Sequence, residues 1–313
     1  MATRPKQPAI TVIGGANLDI KSRIAGKAIA GTSNPGWTEM SPGGVGRNIA
    51  ENLARLGARV SLLTLIGEDT NGDRLRRSAR AAGIDTTLMM RRRGSTGTYS
   101  ATLDAEGEML IAVSDMRLID GMKPGDITRH KDVLAQSDLL VGDANLPAVC
   151  LNALLRLAAR AEVPLVLEPV SVPKAKRLRP LLDEGLPIMA LTPNRDELGE
   201  LTGMPVKNER DLGRAALRLH ERGVAHVLVG LGAAGCFLSS AEEGQHMIAT
   251  RKAGAIRDVT GGGDAMVAGF AYGLASGMDA RQAARKGQEL AASAVRSMQS
   301  VAAKTSNTAR KQP

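Results

Sequence analysis

Short runs of consecutive apolar residues alternate with amphipathic stretches over most of the chain. Residues 9–13 are apolar and end at Gly14 and Gly15. Residues 47–56 put Ile49, Ala50, Leu53, Ala54 and Leu56 at helical spacing, and Gly57 stops the helix. The run 60–66 predicts a buried strand, and 71–82 predicts a helix closed by Gly83. From about residue 125 the rhythm is regular. Strands fall at 138–141, 164–167, 188–191 and 225–229, with helices near 146–161, 174–184, 195–202 and 209–222. Short, mainly apolar strands alternating with helices predict a parallel sheet covered on both faces. Residues 235–239 and 246–250 read as a hairpin, and helices near 263–275 and 279–298 follow.

Two segments break this rhythm. Residues 15–42 are rich in Gly, Ser, Asn and Pro and carry weak strand signals. Residues 98–103 and 108–113 are polar-punctuated strands around Asp104-Ala105-Glu106-Gly107, a hairpin pattern. Together they predict a small β lid outside the main body. The expected architecture is a three-layer α/β/α domain over 9–300 with a central, mostly parallel sheet. The lid comes from about 15–42 and 98–113, and flexible tails from 1–8 and 301–313.

Composition narrows the function classes. Hydrophobic residues are 43% and charged residues 23% of 313, a globular mix. The five aromatics are Trp37, Tyr99, Tyr272, Phe237 and Phe270, so the core is aliphatic and stacking surfaces for single-stranded nucleic acid are scarce. The net charge is +9, and Arg4, Lys6, Lys304, Arg310 and Lys311 in the two ends supply five of it. That concentration reads as solvated tails rather than a nucleic-acid face. Arg91, Arg92 and Arg93 follow an apolar stretch and read as the solvated end of a strand. Cys150 and Cys236 sit in apolar surroundings without metal-ligand spacing, and the four histidines are scattered. These features favour buried free thiols, and disfavour a metal cage or a His-based mechanism. The N-terminal segment lacks a signal-peptide pattern and no run reaches membrane-spanning length, so the expectation is a cytoplasmic protein without a membrane partner.

Four constellations carry chemistry. Pro42-Gly43-Gly44-Val45-Gly46-Arg47-Asn48 opens a helix. On spacing alone it reads equally as a tight turn with a cap or as a loop that a ligand approaches closely. Asp258-Val259-Thr260-Gly261-Gly262-Gly263-Asp264 runs three glycines into another helix start, an anion site by its N–H groups and dipole. A carboxylate there would repel a phosphate unless it takes the proton of a hydroxyl attacking that phosphate. Asp264 as an ordinary first-turn acid is the alternative, and the three glycines favour the catalytic reading. Asn194 and Glu197 share a face at a helix start, fitting either water-mediated Mg²⁺ or a capping pair. Gly230, Gly232 and Gly235 follow an apolar strand and could cradle nucleotide phosphates or turn a hairpin. A P-loop and a dinucleotide fingerprint are both absent.

These residues resemble the ribokinase-like (PfkB) carbohydrate and nucleoside kinases. The N-terminal signature runs from Gly43 through Asn48 to Ala50, with Gly57 and Gly67, and the C-terminal one from Asp258 to Phe270. The likeness extends over roughly 9–300. Within the family the chain is most similar to the bacterial pseudouridine kinases. The supporting segments are Gly14–Asp19, Ser33-Asn34-Pro35-Gly36, Pro42–Ala50 with Arg47, Ser114-Asp115-Met116, Asp143-Ala144-Asn145, Glu168-Pro169-Val170-Ser171 with Lys174, and Gly263–Met266. Gly262 stands where the family often has Ala, and Glu168 where Asp is expected.

The resemblance implies an ATP- and Mg²⁺-dependent kinase acting on the 5′-hydroxyl of pseudouridine. Asp264 would be the general base and Gly261, Gly262 and Gly263 the anion hole. Asn17, Asp19, Ser33, Asn34, Gly43, Gly44, Asn48, Asp115, Asn145 and Lys174 would bind the nucleoside, with Lys174 also readable as a solvated helix-start lysine. Asn194, Gly230, Gly232 and Gly235 would bind ATP, and Asn194 and Glu197 would act on Mg²⁺ through water. Asp258 and Thr260 resemble the family's monovalent-cation loop, with K⁺ as the ion. A homodimer through the lid is expected. The alternatives are a related kinase acting on ribose, another nucleoside or a phosphosugar, and a non-catalytic nucleoside-binding protein. An intact Asp264 argues against the last.

Overall fold

The computed structural model describes residues 7–250 and 261–296. A nine-stranded sheet runs through the main body in the order Gly244–Ile248, Cys236–Ser240, Val224–Gly230, Ile188–Leu191, Leu165–Glu168, Leu139–Asp143, Ala9–Ile13, Arg59–Gly67 and Met89–Arg92. The first three named pair antiparallel, and every other pairing is parallel. Successive strand residues face opposite sides. Leu140, Leu165, Leu167, Val227 and Val229 therefore pack with the helices Ala148–Ala161, Val172–Leu182, Arg195–Thr202 and Glu209–His220. Their neighbours Leu139, Val141, Val166 and Leu228 pack on the other side with Val45–Arg55, Thr70–Ala81, Gly262–Ala275 and Ala280–Ala294. The three-layer α/β/α arrangement follows from strands buried on both faces. Among the described residues no helix is long and apolar enough to cross a membrane.

A separate four-stranded sheet forms the lid, in the order Gly36–Gly43, Asn17–Ile24, Thr98–Leu103 and Met109–Asp115. Asn17–Ile24 and Thr98–Leu103 pair in parallel, which joins the two lid segments. One face carries Met40, Ile111 and Val113, all exposed.

The structure differs from the expectation in two places. Residues 114–135 hold three short helices, Arg117–Asp120, Pro124–Thr128 and Lys131–Ala135, each too brief to show a period. Arg92 is not merely a solvated strand end. Its Nη2 donates to both oxygens of buried Asp126, at 2.9 and 2.8 Å, which locks the edge strand to the second of those helices.

The last two described helices cross at glycines. A Cβ on Gly287 would lie 2.6 Å from the Met266 carbonyl oxygen, and one on Gly269 would lie 2.7 Å from Gly287 Cα. This close crossing sets the position of Gly262–Ala275. Gly287→Val is expected to lower stability by about 1–3 kcal/mol, because an overpacked interface must shift its backbone. Calorimetry reads this as a lower Tm, and an unchanged Tm would refute a rigid crossing.

Candidate active site

The site lies at the carboxyl ends of the parallel strands, where open α/β sheets leave a crevice. Gly261 takes the left-handed conformation, φ 81°, and starts the helix Gly262–Ala275. A Cβ on Gly263 would meet nothing within 4 Å, so its backbone faces open space. Asp264 follows in the first turn and borders a cavity of about 210 Å³. The protein around this carboxyl desolvates it and, with the nearby Asp143 and Asp19, pushes its pKa up to about 7, against the lowering effect of Asn48. Asn48 Nδ2 donates to Asp264 Oδ2 at 2.8 Å across a sequence separation of 216 residues. The two glycine-rich helix starts therefore meet.

Around Asn48 stand Asn17, Asp19, Gly43 and Gly44. Asp19 Oδ1 accepts from Asn17 Nδ2 at 2.7 Å. A Cβ at Gly43 would lie 2.2 Å from Asp19 Oδ2, so only glycine leaves room for this carboxylate. Gly44, at φ 98°, is the residue from which the helix Val45–Arg55 starts. Burial raises the Asp19 pKa. Asp143 sits behind this group, completely buried, and accepts the Gly15 and Asn145 N–H groups at 2.9 Å each. A Cβ at Gly14 would lie 2.3 Å from its Oδ2, which accounts for glycine there. Lys174 donates to the Asn145 side-chain oxygen and is half-buried, so it is not a solvated lysine.

Three predicted substrate residues are disposed differently. Asp115 ends a lid strand opposite Thr98, beside the Asn17 end of the sheet. It accepts from Arg117 Nε and Nη2 at 2.9 and 2.7 Å, which holds its pKa down to about 2. Ser33 and Asn34 lie in the turn joining Ile24 to Gly36, at the opposite end of the hairpin from Asp19. Asp19 and Ile24 are five positions apart along the strand, about 17 Å at the usual rise. Asn34 spends its amide on that turn, accepting from Ile29 N and donating to the Ile29 and Thr32 carbonyls.

The cavity beside Asp264 is also lined by Glu168, Thr192, Asn194, Glu197 and Gly230. Asn194 and Glu197 form a capping box: Asn194 Oδ1 accepts the Asp196 and Glu197 N–H groups, and Glu197 Oε2 accepts the Asn194 N–H. Capping takes one Glu197 oxygen, so the cap does not by itself use up the carboxylate. The Glu168 carboxyl is raised well above its usual pKa by burial and then by Glu197 and Asp264, against hydrogen bonds from Thr192 and Val170. Glu168, Glu197 and Asp264 line one cavity that has no Lys or Arg in its lining, a donor set that suits a cation. Among the described residues no three His, Cys, Asp or Glu side chains converge as direct metal ligands. Val170 borders the same cavity at φ 70°, a left-handed conformation that is strained for a β-branched residue.

Gly232 and Gly235 bracket a single 3₁₀ turn after the strand Val224–Gly230. A Cβ on Gly235 would lie 2.1 Å from the Ile248 carbonyl oxygen, so this glycine is required by the hairpin itself. Asp258 and Thr260 lie outside the described residues. Asp143, buried behind the site, and Glu168, lining the cavity, are acids that the sequence reading gave no role. Their signal was weak, a lone acid at the end of an apolar strand.

Comparison with known proteins places these features. Residues 8–307 match the pfkB family carbohydrate kinase profile. The chain is 32% identical to the pseudouridine kinase of Escherichia coli over 281 residues, covering 89% of this chain and 88% of that one. A carbohydrate kinase from Agrobacterium tumefaciens is 32% identical, with a TM-score of 0.82, covering 94% of this chain and 93% of that one. The ribokinase of Arabidopsis thaliana, solved with ribose and ATP, shares the fold at a TM-score of 0.83 and 24% identity, covering 95% and 96%.

Proposed function

Because the chain belongs to the pfkB family of carbohydrate kinases, enzymes that transfer a phosphoryl group to an alcohol, we propose that its acceptor is pseudouridine. The products are pseudouridine 5′-phosphate and ADP. The observation that carries this reading is the Asn48–Asp264 bond, which brings an acceptor-binding loop against an anion-binding helix start that holds a carboxylate. Likeness to the pseudouridine kinase of Escherichia coli supports the choice of nucleoside.

Phosphoryl transfer asks for positioning and for charge stabilisation. Asp19, with Asn17 beside it, holds the ribose hydroxyls, and Asn145 with Lys174 faces the base. Asp264 takes the proton of the 5′-hydroxyl, while the N–H groups at Gly261, Gly262 and Gly263 receive the transferring phosphoryl group. Mg²⁺ would be held through water by Asn194 and Glu197, with Glu168 beside them, and would offset the charge of the ATP phosphates. Gly230 borders that cavity. A second cavity of about 190 Å³, lined by Ile248, Ala249, Gln288 and Glu289, adjoins Gly235 and suits the adenine ring. K⁺ at Asp258 and Thr260 belongs to the same proposal. The lid sheds water from the reacting groups, and its exposed Met40, Ile111 and Val113 suit a second copy of the chain.

Pseudouridine carries an N–H beside its carbon-linked glycosidic bond that uridine lacks. A site that accepts from this N–H leaves its acceptor unpaired with uridine, and such sites can discriminate by up to ~10⁴–10⁵. Water can rescue part of this. The kcat/KM for pseudouridine is expected to exceed that for uridine by at least about 10². ADP release from ATP and Mg²⁺, measured over pseudouridine, uridine, ribose and phosphosugars, tests it. Equal use of uridine, or a preference for ribose, would assign another acceptor to the same kinase.

A further inference from the structure

Arg47 carries a full charge and is only 6% exposed, in the first turn of the helix Val45–Arg55. Nothing in the phosphoryl-transfer scheme above uses it. Its Nη2 pairs with Glu51, which also pairs with Arg55, and donates to Ser78 Oγ at 3.2 Å. Its Nη1 donates at 3.2 Å to two acceptors, the Asn48 side-chain oxygen and the Pro42 carbonyl. Its Nε is buried without a hydrogen-bond partner.

The Asn48 amide has one accepting and one donating end. Only one of its two orientations offers N–H to Asp264, and a cation fixed at Oδ1 selects that orientation. With its N–H on Asp264 Oδ2, the Asn48 amide leaves the other carboxylate oxygen to face the cleft. Pro42 belongs to the lid strand Gly36–Gly43, which is also gripped at the Met40 carbonyl by Arg74 at 2.8 Å. One guanidinium thus touches both the lid strand and the amide that aligns Asp264.

We propose that Arg47 is a positioning residue that holds the Asn48 amide toward Asp264 and ties that alignment to the lid strand. The proposal rests on Asp264 being the proton acceptor. Displacing a reacting group by about 1 Å can cost 10²-fold, so Arg47→Met is expected to lower kcat about 10- to 100-fold with the ATP KM within about twofold. Arg47→Lys recovers part of the loss, because a single ammonium cannot reach Asn48, Pro42 and Glu51 together as the fork does.

The decisive measurement is a double-mutant cycle, read as ADP release with pseudouridine as acceptor, or ribose should the parent use that instead. Residues acting through one another are non-additive, so in an Asn48→Ala background Arg47→Met is expected to cost less than about threefold. Losses that multiply, or an Arg47→Met enzyme within threefold of its parent, overturn the proposal. If Arg47→Met fails to fold by circular dichroism, the cycle of Arg47→Lys with Asn48→Ala applies the same criterion. Near-parental rates for both Asn48→Ala and Asp264→Asn would instead remove the proton-acceptor reading on which Arg47 depends.

Discussion

Asp264→Asn is expected to lower kcat by about 10²–10⁴-fold while ATP still binds, the usual effect of losing a general base. The substitution keeps size and shape but removes the lone pair that takes the proton. Asn48 already donates to this side chain at 2.8 Å, so an amide can turn its oxygen to Asn48 and preserve the packing. A kcat within threefold of the parent would remove Asp264 from the chemistry. A pH profile gives the second reading. The carboxyl must be ionised to act, and its pKa lies near 7 because burial, Asp143 and Asp19 all disfavour charge there. The kcat/KM for the acceptor should fall about tenfold per unit as pH drops below roughly 7, and level off above it. In Asp264→Asn that acid limb should vanish from the residual rate.

Asp19→Ala is expected to raise the acceptor KM steeply and leave the ATP KM nearly unchanged. Hydrogen bonds to a charged group contribute about 1.5–3 kcal/mol each. Two such bonds to ribose hydroxyls therefore correspond to roughly 10²–10⁴ in kcat/KM for the nucleoside. The carboxylate is half-buried and held by Asn17, so it is aimed before substrate arrives. Initial rates over a matrix of both substrates separate the two constants. An equal rise in the ATP KM would show that the acceptor and donor subsites are wrongly divided.

How much of this could be read from the sequence depended on burial. The runs at 139–141, 164–167 and 188–191 are apolar because they are covered on both faces, so their strands and parallel pairing were legible. The lid strand Gly36–Gly43 is almost wholly exposed, and its Gly, Ser and Pro content hid it inside a loop-like stretch. At the site, each glycine cluster with its acid or amide was visible, but the bond between Asn48 and Asp264 was not, since no local rule joins positions that far apart. Asp143 was visible only as part of a matching segment, and its role was not. A lone acid after an apolar strand has no pattern, and its role is set by Gly14, Gly15 and Asn145 folding around it. Asn34 shows the opposite case, a residue picked out by its motif whose surroundings the sequence did not show. Its motif is specific, yet its amide closes a turn at the far end of the hairpin.

The 216-residue gap between Asn48 and Asp264 also bears on how the enzyme is made. Translation delivers the loops proposed to hold the nucleoside first. The proposed proton acceptor and anion hole leave the ribosome only after the strands of the central sheet have been made. A nascent chain can therefore shape its acceptor loops while it has nothing with which to activate a hydroxyl or receive a phosphoryl group. In the proposed scheme the two parts meet where the helix Gly262–Ala275 packs on the helix Val45–Arg55. A chain terminated before Asp264 would then lack the proposed proton acceptor.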